Sequence, residues 1–303
     1  MNDIKIKIAS NGPEFSRVVA GVWKWGEWGH KLKPQEVLEL IESCVDFGVT
    51  TFDHADIYGG YTDEGLFGAA IKRNWGIREK VQIVTKCGIK MVNPNRPSHK
   101  VKHYDTSAAH IIWSVENSLK QLQTDWIDLL LIHRPDPLMD PDEIAEAFQQ
   151  LKSEGKVRHF GVSNFTPSQF EMLNSRVALC TNQVQASLIH VDPLFDGTFD
   201  QCIQKEVRPM AWSPLGSGDL FGDSDDERIS RIQAALKKFE KKYEATADQL
   251  LLAWLLNHPA QILPVLGTAK PKRIEAAVNA LKIDLEREDW FEMLEVSRGK
   301  AVA

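Results

Sequence analysis

A chain of 303 residues, 43% of them hydrophobic and 26% charged, can bury a large core, and a single α/β barrel reaches that length as readily as two smaller domains do. Its net charge of −6 argues against a surface built to grip nucleic acid or an anionic membrane. Cys44, Cys87, Cys180 and Cys202 form no C-x-x-C pair or disulfide framework, MNDIKIKIASNG holds no apolar leader and no apolar run could span a bilayer, so a cytoplasmic protein is expected.

The chain opens on a strict alternation, Ile4 to Ile8, and Asn11-Gly12 supplies a turn, so a small β-hairpin is expected ahead of the main fold. One pattern then recurs: a short β-branched run, a loop, and a segment with helical periodicity. Strands are expected over residues 18–21, 49–52, 81–85, 127–132, 157–162, 181–184, 208–211 and 262–265. Helices are expected between them over 34–47, 63–75, 106–121, 141–153, 167–174 and 198–205. Two more, 226–243 and 247–257, precede the eighth strand, and 271–281 and 288–296 follow it. Pro34, Pro141, Pro167 and Pro271 suit first helical turns, where a missing N–H costs nothing.

No linker or low-complexity stretch interrupts the pattern, which predicts one domain over residues 1–303. The expected fold is an α/β (β/α)8 TIM barrel with an N-terminal β-hairpin and extra helices. A doubly wound sheet would want G-x-G-x-x-G at the first strand-to-helix turn, where GVWKWGEWGH stands instead. The nearest match, at Gly216, Gly218 and Gly222, is one residue too long and follows the seventh strand.

A barrel of this kind assembles its chemistry at the C-terminal ends of its strands. There stand Trp23, Asp53 with Tyr58, Lys86, His133, Ser163-Asn164, Gln185, Trp212-Ser213 and Gly267-Thr268. Each alone reads as an ordinary loop or core residue; their convergence on one mouth points to chemistry. A phenol ionises near ~10, and a neighbouring ammonium, Lys86, would lower that value for Tyr58. Asp53 would hold the lysine charged, and a neutral His133 would donate a second hydrogen bond to a substrate oxygen. Tyr58 then serves as a general acid that protonates an alkoxide as it forms.

Such a set reduces a carbonyl if a hydride donor lies beside it. Ser163, Asn164 and Gln185 offer partners for a carboxamide, and Trp212 a flat face for an aromatic ring. The segment PVLGTAKPKR ends a strand and opens a helix, and its N–H groups with Thr268, Lys270 and Arg273 suit a phosphate. His99 and His103 lack an acidic third ligand, so no metal is expected and KMVNPNRPSHKVKHYD reads as a solvated basic loop.

In chain order, FDHADIYGG, VTKCG, LLLIHRPD, FGVSNF, NQVQ, AWSPLGSG and LPVLGTAKPKRI resemble the motifs of the aldo-keto reductase superfamily and span most of the chain. The resemblance is closest to its bacterial oxidoreductases carrying HRPDP. It implies a catalytic tetrad of Asp53, Tyr58, Lys86 and His133. It also implies NADPH as cofactor, with its nicotinamide held by Ser163, Asn164, Gln185 and Trp212, and with Gly21 and Trp23 among the cofactor contacts. The pyrophosphate would lie under Ser213, Leu215, Gly216 and Gly218, and the adenosine phosphate near Gly267, Thr268, Lys270 and Arg273.

The implied activity is reduction of a small aldehyde or ketone by a monomer without nucleic-acid or membrane partners. One alternative is a cofactor-binding regulatory module with little turnover, because potassium-channel β subunits share the fold. Another is a phosphate-handling barrel in which Lys86 forms a Schiff base. Three departures stand out. Ala276-Ala277 occupy positions where family members often carry Glu and Asn against the adenine, and His54 replaces a commoner small residue. The segment 134–140 and the tail after Arg298 are short, which predicts an open substrate site with Trp23, Trp25 and Trp28 as an apolar wall.

Overall fold

The computed structural model describes residues 4–303. Twelve strands run in chain order: β1 (Lys5–Lys7), β2 (Glu14–Ser16), β3 (Val19–Gly21), β4 (Thr51–Asp53), β5 (Gln82–Cys87), β6 (Ile89–Lys90), β7 (His103–Tyr104), β8 (Ile127–Ile132), β9 (Val157–Ser163), β10 (Asn182–Gln185), β11 (Met210–Trp212) and β12 (Leu263–Leu266). Eight of them, in the order β3, β4, β5, β8, β9, β10, β11 and β12, close into a parallel barrel in which β12 pairs back onto β3. β1 and β2 form the antiparallel hairpin, and β6 and β7 a second small ribbon.

The helices are α1 (Pro34–Asp46), α2 (Tyr58–Tyr61), α3 (Asp63–Ile71), α4 (Ala108–Leu122), α5 (Pro141–Ser153), α6 (Pro167–Asn174), α7 (Thr198–Gln204), α8 (Glu227–Tyr243), α9 (Ala247–Leu256), α10 (Pro271–Asn279) and α11 (Arg287–Arg298). Among the described residues no helix is long and apolar enough to cross a membrane. α5 shows how local sequence sets a helix. Asp140 accepts the N–H of Asp142 at 2.9 Å, Pro141 takes the first helical position, and Ile144, Ala145, Ala147, Phe148 and Leu151 fall on the buried face. β8, IDLLLI, is buried along its whole length, as a strand covered on both faces must be.

Several expected boundaries shift. The helix expected from residue 106 starts at Ala108, because the Ser107 hydroxyl caps it by accepting the N–H of His110. Strands expected to stop at 52 and 211 run on to Asp53 and Trp212, since Asp53 pairs with Val84 and Trp212 with Val265 in the parallel ladders. Ladder hydrogen bonds thus carry Asp53 and Trp212 beyond the expected strand ends, into the barrel mouth.

The hairpin covers the opposite end. The Ser16 hydroxyl accepts the N–H groups of Thr50 and Thr51 at the foot of β4, and Arg208, just before β11, donates its N–H to the Ile8 carbonyl at 2.7 Å. Phe15 and Ile8 are buried in one core cluster with Val19, Met210 and Leu263. Burying Phe15 alone contributes about 2 kcal/mol. With that end stoppered, the C-terminal mouth is left for the site.

Candidate active site

Four elements place the expected tetrad at the mouth. Asp53 ends β4, Lys86 lies near the end of β5, His133 follows β8, and Tyr58 opens α2. The Lys86 side chain is 1% exposed, and its ammonium donates to both Asp53 oxygens at 2.8 and 2.7 Å. It also donates to the His54 carbonyl at 2.8 Å and to the Tyr58 phenol oxygen at 3.2 Å. A phenol oxygen that accepts from lysine leaves its own O–H free for another acceptor. The Tyr58 ring meets His133 edge-on at 6.1 Å between centroids.

Electrostatics differ from expectation in one respect. Burial holds the Tyr58 phenol above its ordinary value; Lys86 pulls it back, and Asp53 opposes that pull. A net lowering by Lys86 is therefore not what this site achieves. The result keeps the phenol protonated at neutral pH. Burial alone would push the Lys86 ammonium down, but Asp53 and then Tyr58 more than reverse this, and it sits above its ordinary value. Burial, followed by Lys86, Arg134 and Lys102, holds His133 well below the usual histidine range, so its ring is neutral.

Three of the four groups expected to hold a nicotinamide, Trp212, Asn164 and Ser163, form one hydrogen-bonded chain. The Trp212 indole N–H donates to the Asn164 side-chain oxygen at 2.9 Å, and the Asn164 amide donates to the Ser163 hydroxyl at 2.8 Å. Ser163 donates in turn to the Gln183 carbonyl at 2.8 Å. Asn164 takes a left-handed backbone, φ 61°, that turns its side chain back on this chain. The Gln183 side chain then donates to Asp53 at 2.8 Å. Gln183 thus joins the tetrad to the residues beyond it, and sequence reasoning passed it over. It chose Gln185, which lies one step further along β10 on the same face. Two glutamines at i and i+2 were the available signal.

The other expected contacts are distributed around the rim. A methyl at Gly21 would lie 2.6 Å from the Leu266 carbonyl, so glycine is what lets β3 meet β12 at the mouth. Gly267 lies against Trp23, where a methyl would stand 3.1 Å from the indole nitrogen. Ser213, Gly216, Ser217 and Gly218 all have left-handed backbones, forming a tight coil after β11 from which Leu215 packs against the core. Thr268 caps the turn into α10 by accepting the Lys270 N–H at 3.2 Å. Lys270 and Arg273 are exposed at the start of α10. Ala277 is buried against the core and the Ala276 carbonyl accepts from Gln249, so neither offers a polar side chain at the α10 face.

One expectation is corrected. Trp25 is 1% exposed, packs edge-on against Phe52, and donates its indole N–H to the Thr268 carbonyl, which makes it core and not pocket wall. Trp23 and Trp28, each 39% exposed, remain at the mouth, and Trp28 lies 6.3 Å from the Tyr58 ring. The basic segment is solvated as expected, with none of residues 91–103 buried, but it does not hang free. It leaves β6, packs on α2 through Asn95 and Tyr61, and returns through β7. No group of three or more metal-ligating side chains forms among the described residues. Sequence reasoning also missed Arg134, whose guanidinium lies 5.7 Å over the Trp212 ring.

A sequence model described as the aldo/keto reductase family matches residues 17–298. The chain is 48% identical over 297 residues to oxidoreductase YdhF of Escherichia coli, covering 97% of this chain and 98% of that protein. It is 46% identical over 292 residues to a 6-dehydroglucose reductase of Agrobacterium fabrum, covering 96% and 97% of the two chains. Among solved structures it resembles an aldo/keto reductase from Klebsiella pneumoniae in complex with NADP and acetate. That match has a TM-score of 0.75 at 27% identity and covers 95% of this chain and 94% of the other.

Proposed function

The chain belongs to the aldo/keto reductase family, and from that premise we propose an NADPH-dependent oxidoreductase that reduces aldehyde or ketone carbonyls to alcohols, with Tyr58 as general acid. The observation that carries the reading is the buried Lys86 ammonium, bonded at once to both Asp53 oxygens and to the Tyr58 phenol oxygen. As a carbonyl oxygen gains charge, Tyr58 transfers its proton to it. Lys86 already points an N–H at the phenol oxygen and stabilises the phenolate left behind. Asp53 and Gln183 keep the lysine charged and fixed. The neutral His133 donates a second hydrogen bond to the same substrate oxygen.

The residues at the mouth fit a nicotinamide dinucleotide phosphate. Ser163, Asn164 and Gln185 supply hydroxyl and amide groups, and Trp212 leaves part of its indole uncovered. The coil from Ser213 to Gly218 offers backbone for a pyrophosphate. Among the described residues the Lys270 and Arg273 side chains have no ion-pair partner, and both suit a 2′-phosphate. Bound there, the reduced nicotinamide supplies the hydride. The same geometry disfavours a Schiff base at Lys86, which needs a neutral amine, whereas this one is buried against a carboxylate.

The relative named for 6-dehydroglucose supports including a sugar aldehyde among the substrates, and the short segment after β8, with Leu138 91% exposed, supports a broadly open pocket. The test is NADPH consumption against aldehydes, ketones, quinones and sugar aldehydes, with the alcohol product identified. Consumption with several of them is expected; none with any member of the panel overturns the proposal.

A further inference from the structure

The catalytic tyrosine opens a turn that its own sequence does not favour. After Tyr58, three successive residues have left-handed backbones: Gly59 (φ 60°), Gly60 (φ 67°) and Tyr61 (φ 73°). Glycine accepts this region freely, but a bulky aromatic residue meets steric strain there. Such strain persists only where surrounding structure over-determines it, and it gathers at functional sites.

The surrounding structure is the basic segment between β6 and β7. The Tyr61 hydroxyl accepts the Met91 N–H at 2.8 Å and lies 3.5 Å from the Met91 carbonyl. The Arg96 guanidinium stacks 4.5 Å over the Tyr61 ring. Asn95 donates to the Gly60 carbonyl at 2.9 Å, and a methyl at Gly60 would stand 2.8 Å from the Asn93 amide, so the segment packs directly on the turn. Ala55, Ile57 and Ile89 form a small apolar cluster of their own, and Tyr58, Tyr61, Met91 and Tyr104 all pack against it. The segment leaves the barrel three residues after Lys86 and is pinned by Lys90 to Asp105 at 2.6 Å. One stretch of chain therefore carries both the lysine that bonds the Tyr58 phenol and the clasp on the turn behind it.

We propose that Tyr61 is a positioning residue: the 91–96 segment clasps its ring and hydroxyl, and so holds the strained turn that keeps the Tyr58 phenol on Lys86. The proposal rests on the reading of Tyr58 as general acid. Proton transfer is sensitive to displacements well under an ångström, so a relaxed turn slows the chemical step without touching the cofactor contacts.

The test is single-turnover NADPH oxidation at saturating aldehyde, paired with NADPH binding by fluorescence. The proteins are wild type, Tyr61→Phe, Arg96→Ala, Tyr58→Phe and the double variant Tyr58→Phe/Tyr61→Phe. Losing the hydroxyl anchor in Tyr61→Phe should slow turnover about tenfold while NADPH affinity stays within about twofold. Arg96→Ala, which leaves Tyr61 itself intact, should also slow it, and it keeps the test open if Tyr61→Phe does not fold. If Tyr61 acts through Tyr58, its substitution should add nothing on the Tyr58→Phe background. Wild-type rates in both Tyr61→Phe and Arg96→Ala overturn the proposal. An equal loss on the Tyr58→Phe background also overturns it, since it reports general damage. A Tyr58→Phe enzyme as fast as wild type removes the general-acid reading first, and this inference with it.

Discussion

Replacing His54 by leucine should remove about 2 kcal/mol of acid lability. The His54 ring is fully buried, lies edge-on to Phe67 at 4.3 Å between centroids, and neither ring nitrogen has a hydrogen-bond partner among the described residues. Burial, and then the Lys86 ammonium, lower its pKa to about 3. The unfolded chain holds the same group near ~6.5. Between those values the unfolded state binds a proton that the folded state refuses. Stability from this group is therefore complete above about pH 6.5 and is lost as pH falls toward about 3. At about pH 5 the folded ring is still neutral, so the loss is set by a distance of roughly 1.5 pH units from the unfolded value. At about 1.4 kcal/mol per unit, that is about 2 kcal/mol. Leucine keeps an apolar side chain against Phe67 and removes two unsatisfied nitrogens, so at about pH 7.5 the variant should match or exceed wild type. Urea unfolding at about pH 7.5 and about pH 5, with the slopes compared, measures the difference. Other buried histidines act equally in both proteins. Losses that agree within about 0.5 kcal/mol would refute the argument.

Two further outcomes are expected. Gln183→Leu removes one of the hydrogen bonds that hold Asp53 and should lower kcat roughly tenfold while Lys86 and Asp53 stay paired; steady-state kinetics with an unchanged kcat would show that Lys86 alone suffices. Arg273→Ala should weaken NADPH binding roughly tenfold and leave NADH binding unchanged, since only NADPH carries the 2′-phosphate; fluorescence titration with both cofactors decides it.

The barrel was legible because its signals are local. Pro141 and Pro167 open α5 and α6 where expected, and the apolar run of β8 has the bounds read from sequence. Asp53, Tyr58, Lys86 and His133 were legible because strand ends in such a barrel converge. What was not legible depends on packing between distant segments. Gln183 and Gln185 share a face of β10, and only the position of Asp53 across the barrel distinguishes them. Trp25 reads like its neighbours Trp23 and Trp28 until Phe52 and the Thr268 carbonyl cover it. The basic segment has the composition of a solvated loop, and its contact with Tyr61 arises only because β6 and β7 pair. The direction of the Tyr58 shift turns on how deeply the phenol is buried, a quantity that a list of charged neighbours does not contain.

The proposed reaction depends on Tyr58 supplying the proton. Tyr58→Phe removes the phenol oxygen alone and leaves the Trp212, Asn164 and Ser163 chain in place. Single-turnover NADPH oxidation with a carbonyl substrate, measured beside NADPH fluorescence binding, tests it most directly. Oxidation should be slower by roughly 10²–10⁴-fold with binding unchanged. Near-wild-type oxidation by the variant would contradict it, and tight NADPH binding without turnover in the wild type would point to a binding module instead.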